Sequence, residues 1–146
     1  MKISTKGRYA LRMIVDMLQH QENGPVALKD VAERQNISKK YLEQIALTLA
    51  QKDIMRGSRG HLGGYRVIGD PTAYTVYDIL EITEGSLHPV ACLDADKNGC
   101  ERCHGCETLY IWQELDGRIQ EYLRSMTIQD VVDTVVARRE AKAQQN

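Results

Sequence analysis

Apolar residues recur at helical spacing from Ser4 to about Gln19. Tyr9, Ala10, Met13, Ile14, Met17 and Leu18 share one face, leaving Lys6, Arg8 and Arg12 on the wetter side. Gly24 and Pro25 punctuate the chain, and a second amphipathic piece follows with Leu28, Val31 and Ala32 as its apolar face. The pattern then fits a helix-turn-helix. Small Ala32 sits where the two helices cross, and Asn36 falls at the turn, where a left-handed backbone is needed. Ile37 plugs the turn, Ser38 is a natural N-cap, and Leu42 and Ile45 face inward. Lys39, Lys40, Tyr41, Glu43 and Gln44 are left on the outer, N-terminal part of the second helix, the part that meets base edges in a major groove. A plain helical hairpin with a capped second helix is the competing reading, and two lysines beside a Tyr and a Gln weigh against it.

After Gln51 the period changes. Residues 53–67 read as two short strands around a glycine-rich tip, carrying Arg56, Arg59 and Arg66. Placed directly after a helix-turn-helix, this is the layout of a winged helix. Gly60 and its neighbours allow close approach to a phosphate or groove floor, and Arg59 suits a narrow minor groove. A nucleotide-binding glycine loop would need a helix N-terminus next, and Pro71 and Tyr74 interrupt instead.

Thr75 to Glu84 reads as a short helix through Val76, Ile79, Leu80 and Ile82, closed by Gly85. A loop of about twenty residues follows, long enough to need a functional reason. From Glu107 a long helix is expected, with Trp112, Leu115, Ile119, Tyr122 and Met126 at 3-4-3-4 spacing, Leu109 extending the stripe and Gly117 weakening it. Pattern alone leaves this seam open between an intramolecular core and a dimer contact. Thr127 caps a final short helix built on Ile128, Val131, Val132 and Val135, and Ala137 to Asn146 is a polar tail that frays or continues as exposed helix.

Charge divides the chain in the same place. Residues 1–66 hold 12 Lys or Arg against 6 Asp or Glu, and residues 67–146 hold 7 against 14, behind a total of −1. A basic head on an acidic body suits a polyanion partner. At 146 residues and 42% hydrophobic the chain can bury a core. No apolar run approaches a membrane span and no signal core opens the sequence, so a cytoplasmic location is expected. With no Phe and one Trp, an aromatic platform for single-stranded nucleic acid is excluded.

All four cysteines lie in the loop. Cys92 is followed by seven residues, then Cys100, two, Cys103, two and Cys106. Without a secretory signal, such a cluster points to metal binding or redox chemistry. The run from Cys100 to Cys106 is the Cys-x-x-Cys-x-x-Cys arrangement that wraps an iron–sulfur cluster, and Gly99 and Gly105 supply the backbone freedom. Soft thiolates also take zinc or cuprous copper. A structural zinc knuckle and a metal-free thiol switch at Cys100 or Cys103 therefore stay open. His20, His61 and His88 read as solvated or packing residues.

Three segments, Met1–Ala10, Ile37–Gln44 and Arg59–Tyr65, resemble the Rrf-two family of bacterial winged-helix transcriptional regulators, and the similarity runs over essentially the whole chain. The resemblance implies a homodimeric regulator of double-stranded DNA with a pseudo-palindromic operator, and no enzyme. It assigns DNA contacts to Tyr9, Ser38, Tyr41, Glu43, Gln44 and Arg59. To these, charge and position add Lys6, Arg8, Lys39, Lys40, Arg56 and Gly60. Cluster-binding members carry three cysteines just before the long helix, matched here by Cys92, Cys100 and Cys106. Their fourth ligand is a His at the position of Leu109 or an acidic residue at the position of Arg8, so Cys103, then His104, is the expected substitute. Four thiolates favour a 4Fe–4S cluster slightly over 2Fe–2S.

The expected architecture is mainly α with a small β-wing. It divides into a winged helix-turn-helix (1–85), a cysteine loop (86–106), a dimerisation helix (107–126) and a C-terminal helix with a tail (127–146). Two rivals remain: control by a partner protein, as in a cysteine-metabolism branch of the same family, and a ferredoxin-like electron carrier. The carrier leaves the basic head unexplained.

Overall fold

The computed structural model describes residues 2–94 and 100–145. Among the described residues, six α-helices and one two-stranded antiparallel sheet follow the order α1 (Thr5–His20), α2 (Leu28–Gln35), α3 (Lys39–Ala50), β1 (Met55–Ser58), β2 (Gly64–Val67), α4 (Val76–Glu84), α5 (Leu109–Arg124) and α6 (Ile128–Ala143). Helix α1 is the hub, packed by α2, α3, α4, α6 and β2. Its Ala10, Met13, Ile14 and Met17 are buried with Val31, Leu42, Ile45, Leu49 and Ile79 in one core. Among the described residues no helix is long and apolar enough to cross a membrane.

The helix-turn-helix forms as its sequence predicts. Asn36 adopts φ 52° and ψ 52°, and the Ile37 N–H bonds back to the Ala32 carbonyl at 3.1 Å, closing α2 with a left-handed cap. Ile37, Leu42 and Ile45 are buried around the turn. Ser38 occupies the N-cap position of α3, but its hydroxyl makes no capping bond, so the cap is one of position only and the side chain faces out.

In the wing Met55 pairs with Val67 and Ser58 with Gly64. Gly60, at φ 111°, and a 3.0 Å bond from the Gly63 N–H to the Gly60 carbonyl form the tip. A bridge absent from the sequence reading joins Val26, just ahead of α2, to Tyr65 through bonds of 2.8 and 2.9 Å. Gly64 permits it, because a Cβ there would collide with the Val26 carbonyl. The wing is thus anchored to the segment that leads into the helix-turn-helix.

Capping boxes start α4 and α6, where Thr75 and Asp78, and Thr127 and Asp130, satisfy each other's backbone N–H groups. Reciprocal bonds from Val76 N–H to Met126 and from Ile128 N–H to Tyr74 staple the two starts together. Helix α5 begins at Leu109 rather than Glu107, because the chain still turns there, with the Leu109 N–H bonding back to the Cys106 carbonyl at 3.2 Å and Thr108 in the N-cap position. Of the two alternatives for the polar tail, the exposed helix is the one that forms: the 16 residues of α6 run to Ala143, carried by good helix formers such as Ala, Arg, Glu and Lys.

Candidate nucleic-acid interface and cysteine loop

On α3, Ser38, Lys39, Lys40, Glu43 and Gln44 are all exposed at or near the N-terminal end. Lys39 pairs with Glu43 one turn on, at 3.3 Å. Tyr41 is half-buried, its ring edge-on to Tyr9 of α1 at 5.9 Å between centroids, and Arg12 lies over the Tyr9 ring at 5.3 Å from its centroid. The start of α1 and the start of α3 are therefore brought together through two tyrosines. A groove of about 490 Å³ separates α3 from the wing base, lined by Lys39, Glu43 and Leu47 on one side and Gly63, Gly64 and Tyr65 on the other. Arg56, Arg59 and Gly60 are exposed on the wing, with Arg66 directly across from Arg56.

On α1, Arg8 is exposed and folds back on the Ser4 carbonyl and the Thr5 hydroxyl at 3.3 Å each, while Lys6 is half-buried. Two polar contacts here escaped the sequence reading. Asp16, 2% exposed, receives three hydrogen bonds from Arg34 of α2 and one from Gln35. Glu84, the last residue of α4, receives three from Ser4 and Gly7. Neither pair leaves a local signature in sequence.

The cysteines sit between α4 and α5. Cys92 is half-buried in a 3₁₀ turn at Ala91–Leu93, Cys100 is exposed, and Cys106 is half-buried beside a second turn at Cys103–Gly105. The Cys103 side chain and Gly99 lie outside the described residues. Among the described residues no three His, Cys, Asp or Glu side chains converge as metal ligands. His104 is exposed. The Thr108 hydroxyl lies 3.5 Å from the Cys106 sulfur and, with the Thr108 backbone, holds this thiol below its ordinary pKa. That favours the thiolate, the form that ligates metal. His88 is not merely solvated or packed: its Nδ1 lies 3.0 Å from both Asp116 carboxylate oxygens, tying the loop's entry to α5.

Helix α5 buries none of its residues in the protomer. Tyr110, Ile111, Leu115 and Tyr122 are among the most exposed large apolar side chains. Of the stripe seen in the sequence, Leu115 and Tyr122 are exposed while Leu109, Trp112, Ile119 and Met126 are half-buried.

Residues 3–134 match the family model Rrf2, described as an iron-dependent transcriptional regulator. The chain belongs to the Rrf2 family. The HTH-type transcriptional regulator IscR of Yersinia pseudotuberculosis is 34% identical over 133 residues, covering 91% of this chain and 80% of that one. Among solved structures, CymR, the global cysteine regulator of B. subtilis, superposes with a TM-score of 0.77 at 32% identity, covering 92% of this chain and 98% of that one. IscR of T. potens gives 0.74 at 33% identity, over 92% of this chain and 88% of that one. The Rrf2 chain described here is accordingly a winged-helix, DNA-binding transcriptional regulator, of a family that is not enzymatic.

Proposed function

We propose that this Rrf2 regulator binds operator DNA as a homodimer and that an iron–sulfur cluster held by the 92–106 loop sets its grip. The observation that carries the reading is position: the cysteine loop leads directly into α5, with Cys106 three residues ahead of Leu109, and α5 leaves Tyr110, Ile111, Leu115 and Tyr122 exposed in the protomer. Two chains meeting along α5 would cover those side chains and carry two reading heads on one two-fold axis, which suits a pseudo-palindromic site. The donor set fits a cluster in kind, with Cys92, Cys100 and Cys106 as thiolates and Cys103 or His104 as the fourth ligand. Binding a cluster through these residues would order the loop around it, so that binding is coupled to local folding. A bound cluster would supply a redox-labile, iron-dependent crosslink within this loop. The chain's own residues transmit the change: ordering the loop bears on α5 through Cys106 and through the His88–Asp116 contact.

At the DNA, Lys6, Arg8, Lys39, Lys40 and Arg56 neutralise phosphates and give a steep salt dependence. Arg59 and Gly60 enter the minor groove. Tyr9, Ser38 and Tyr41 position the heads, Gln44 reads an adenine edge, and Glu43 accepts from a cytosine amino group. The Lys39–Glu43 pair sharpens one expectation. Glu43→Ala both removes a reader and frees Lys39 for phosphate, so discrimination between a duplex selected by the wild-type chain and a scrambled duplex should fall about tenfold, with scrambled binding unchanged or tighter. Competitive fluorescence titration measures this, and equal losses on both duplexes would contradict the assignment.

The cofactor is tested on anaerobically purified protein by absorption spectroscopy, with iron, acid-labile sulfide and zinc quantified on the same sample. Near-equal iron and sulfide with a visible band that bleaches in air is the expected result, and the stoichiometry separates 4Fe–4S from 2Fe–2S. A colourless protein with about one zinc per chain would overturn the cluster and make the loop structural.

A further inference from the structure

Glu84 ends α4, one residue before Gly85 releases the chain toward the cysteines, yet its carboxylate bonds to the first residues of the chain, about 80 positions earlier. Its Oε1 accepts from the Ser4 N–H at 3.0 Å, the Ser4 hydroxyl at 2.7 Å and the Gly7 N–H at 3.1 Å. Helix α1 has no acidic residue in its own first turn and carries Lys6 and Arg8 there. Glu84 therefore supplies from another element the anion that a helix N-terminus and two nearby cations favour. Gly7 is explained by the same contact. Its φ is not positive, so no turn requires glycine, but a Cβ at this position would overlap Glu84 Oε1 and press on Leu80. At its N-terminal end α4 is held to α5, where Arg124 stacks over Tyr77 at 3.6 Å.

We propose that Glu84 is a positioning residue for DNA recognition. Its three-donor latch fixes the first turn of α1, with Lys6, Arg8 and Tyr9, in the register that meets DNA, and it joins that turn to the helix leading into the cysteine loop. The inference rests on the reading of the α1 N-terminus as part of the DNA-contact surface.

Two disruptions of opposite chemistry test it in the full-length chain. Glu84→Ala deletes the acceptor, whereas Gly7→Ala deletes nothing and pushes the acceptor away with one methyl group. Alanine at position 7 would otherwise favour the helix. Affinity is measured on a duplex selected from a random library by the wild-type chain, and on a scrambled duplex. Both variants should bind the selected duplex about tenfold more weakly, while Glu84→Gln, which keeps an acceptor oxygen, recovers most of the loss. The sign is informative, because removing a negative charge near DNA would by itself tighten binding to both duplexes.

In double-variant cycles the loss from Gly7→Ala should be absorbed by Arg8→Ala and should add to Gln44→Ala within about twofold. Melting temperatures establish that each variant is folded during the assay. If Glu84→Ala melts too low, Gly7→Ala and Glu84→Gln carry the same comparison. Unchanged or tighter binding by Gly7→Ala, or additivity with Arg8→Ala, would overturn the latch. Arg8→Ala without effect on either duplex would instead overturn the placement of α1 on DNA, and the latch with it.

Discussion

Replacing Arg34 by Met is expected to cost about 3 kcal/mol of folding stability, the low end for breaking a buried ion pair. Asp16 is 2% exposed, and Arg34 reaches it with Nε at 3.1 Å to both carboxylate oxygens and Nη2 at 2.6 Å to one. Met keeps much of the aliphatic packing and removes the charge, so Asp16 would remain buried with only Gln35 and a longer contact to His20 at 3.7 Å. The partly exposed guanidinium of Arg34 loses little on entering the pair, which is why the change falls on the carboxylate side. For a domain of this size such a loss is a large share of its stability. Urea denaturation should show the midpoint falling by about 1–2 M at unchanged slope, and Asp16→Leu in the same chain should restore most of it. A single Arg34→Met change of less than about 1 kcal/mol would show that α1 and α2 do not depend on the pair. Because Gln35 and Arg12 join this network immediately before the Asn36 turn, DNA affinity should fall together with stability.

How far the molecule was legible in its sequence follows the range of the interactions. The Asn36 turn, the Ile37 plug, the wing glycines and the Thr127 cap are set by residues within a few positions of each other, and each formed as read. The Val26–Tyr65 bridge, the Asp16–Arg34 pair and the Glu84 latch join residues 39, 18 and 80 positions apart or nearly so, and no local pattern marks them. His88 was read as a bystander because its partner Asp116 lies on another element. The polar tail after Ala137 carries no apolar stripe, which left fraying and exposed helix both open, and propensity with a strong cap extends α6 through it. At the cysteines, residue type nominates donors, but an assembled site would be a property of the loop together with a bound metal rather than of the spacing.

The second large effect is expected on α5. Leu115→Glu should convert the proposed dimer to a monomer and weaken binding to the selected duplex by at least about a hundredfold, because each head would then bind without the effective concentration a partner provides. Leu115 is 41% exposed in the protomer, so the substitution places a charge on the uncovered stripe without opening the core. Circular dichroism should be unchanged while sedimentation velocity reports half the mass. Binding to a single half-site should survive. A variant that stays dimeric, with operator affinity intact, would move the subunit contact away from α5 and remove the lever by which the loop acts on the two heads.

The central claim, that the 92–106 loop gates DNA binding through its metal, is tested most directly by one titration. A single anaerobic preparation is split, one half is stripped of iron by chelation, and both are titrated with the selected duplex at the same salt concentration. The account predicts a difference in affinity of at least about fivefold, abolished in Cys106→Ser, with the scrambled duplex bound equally by both halves. Equal affinity of the two halves for the selected duplex would contradict it.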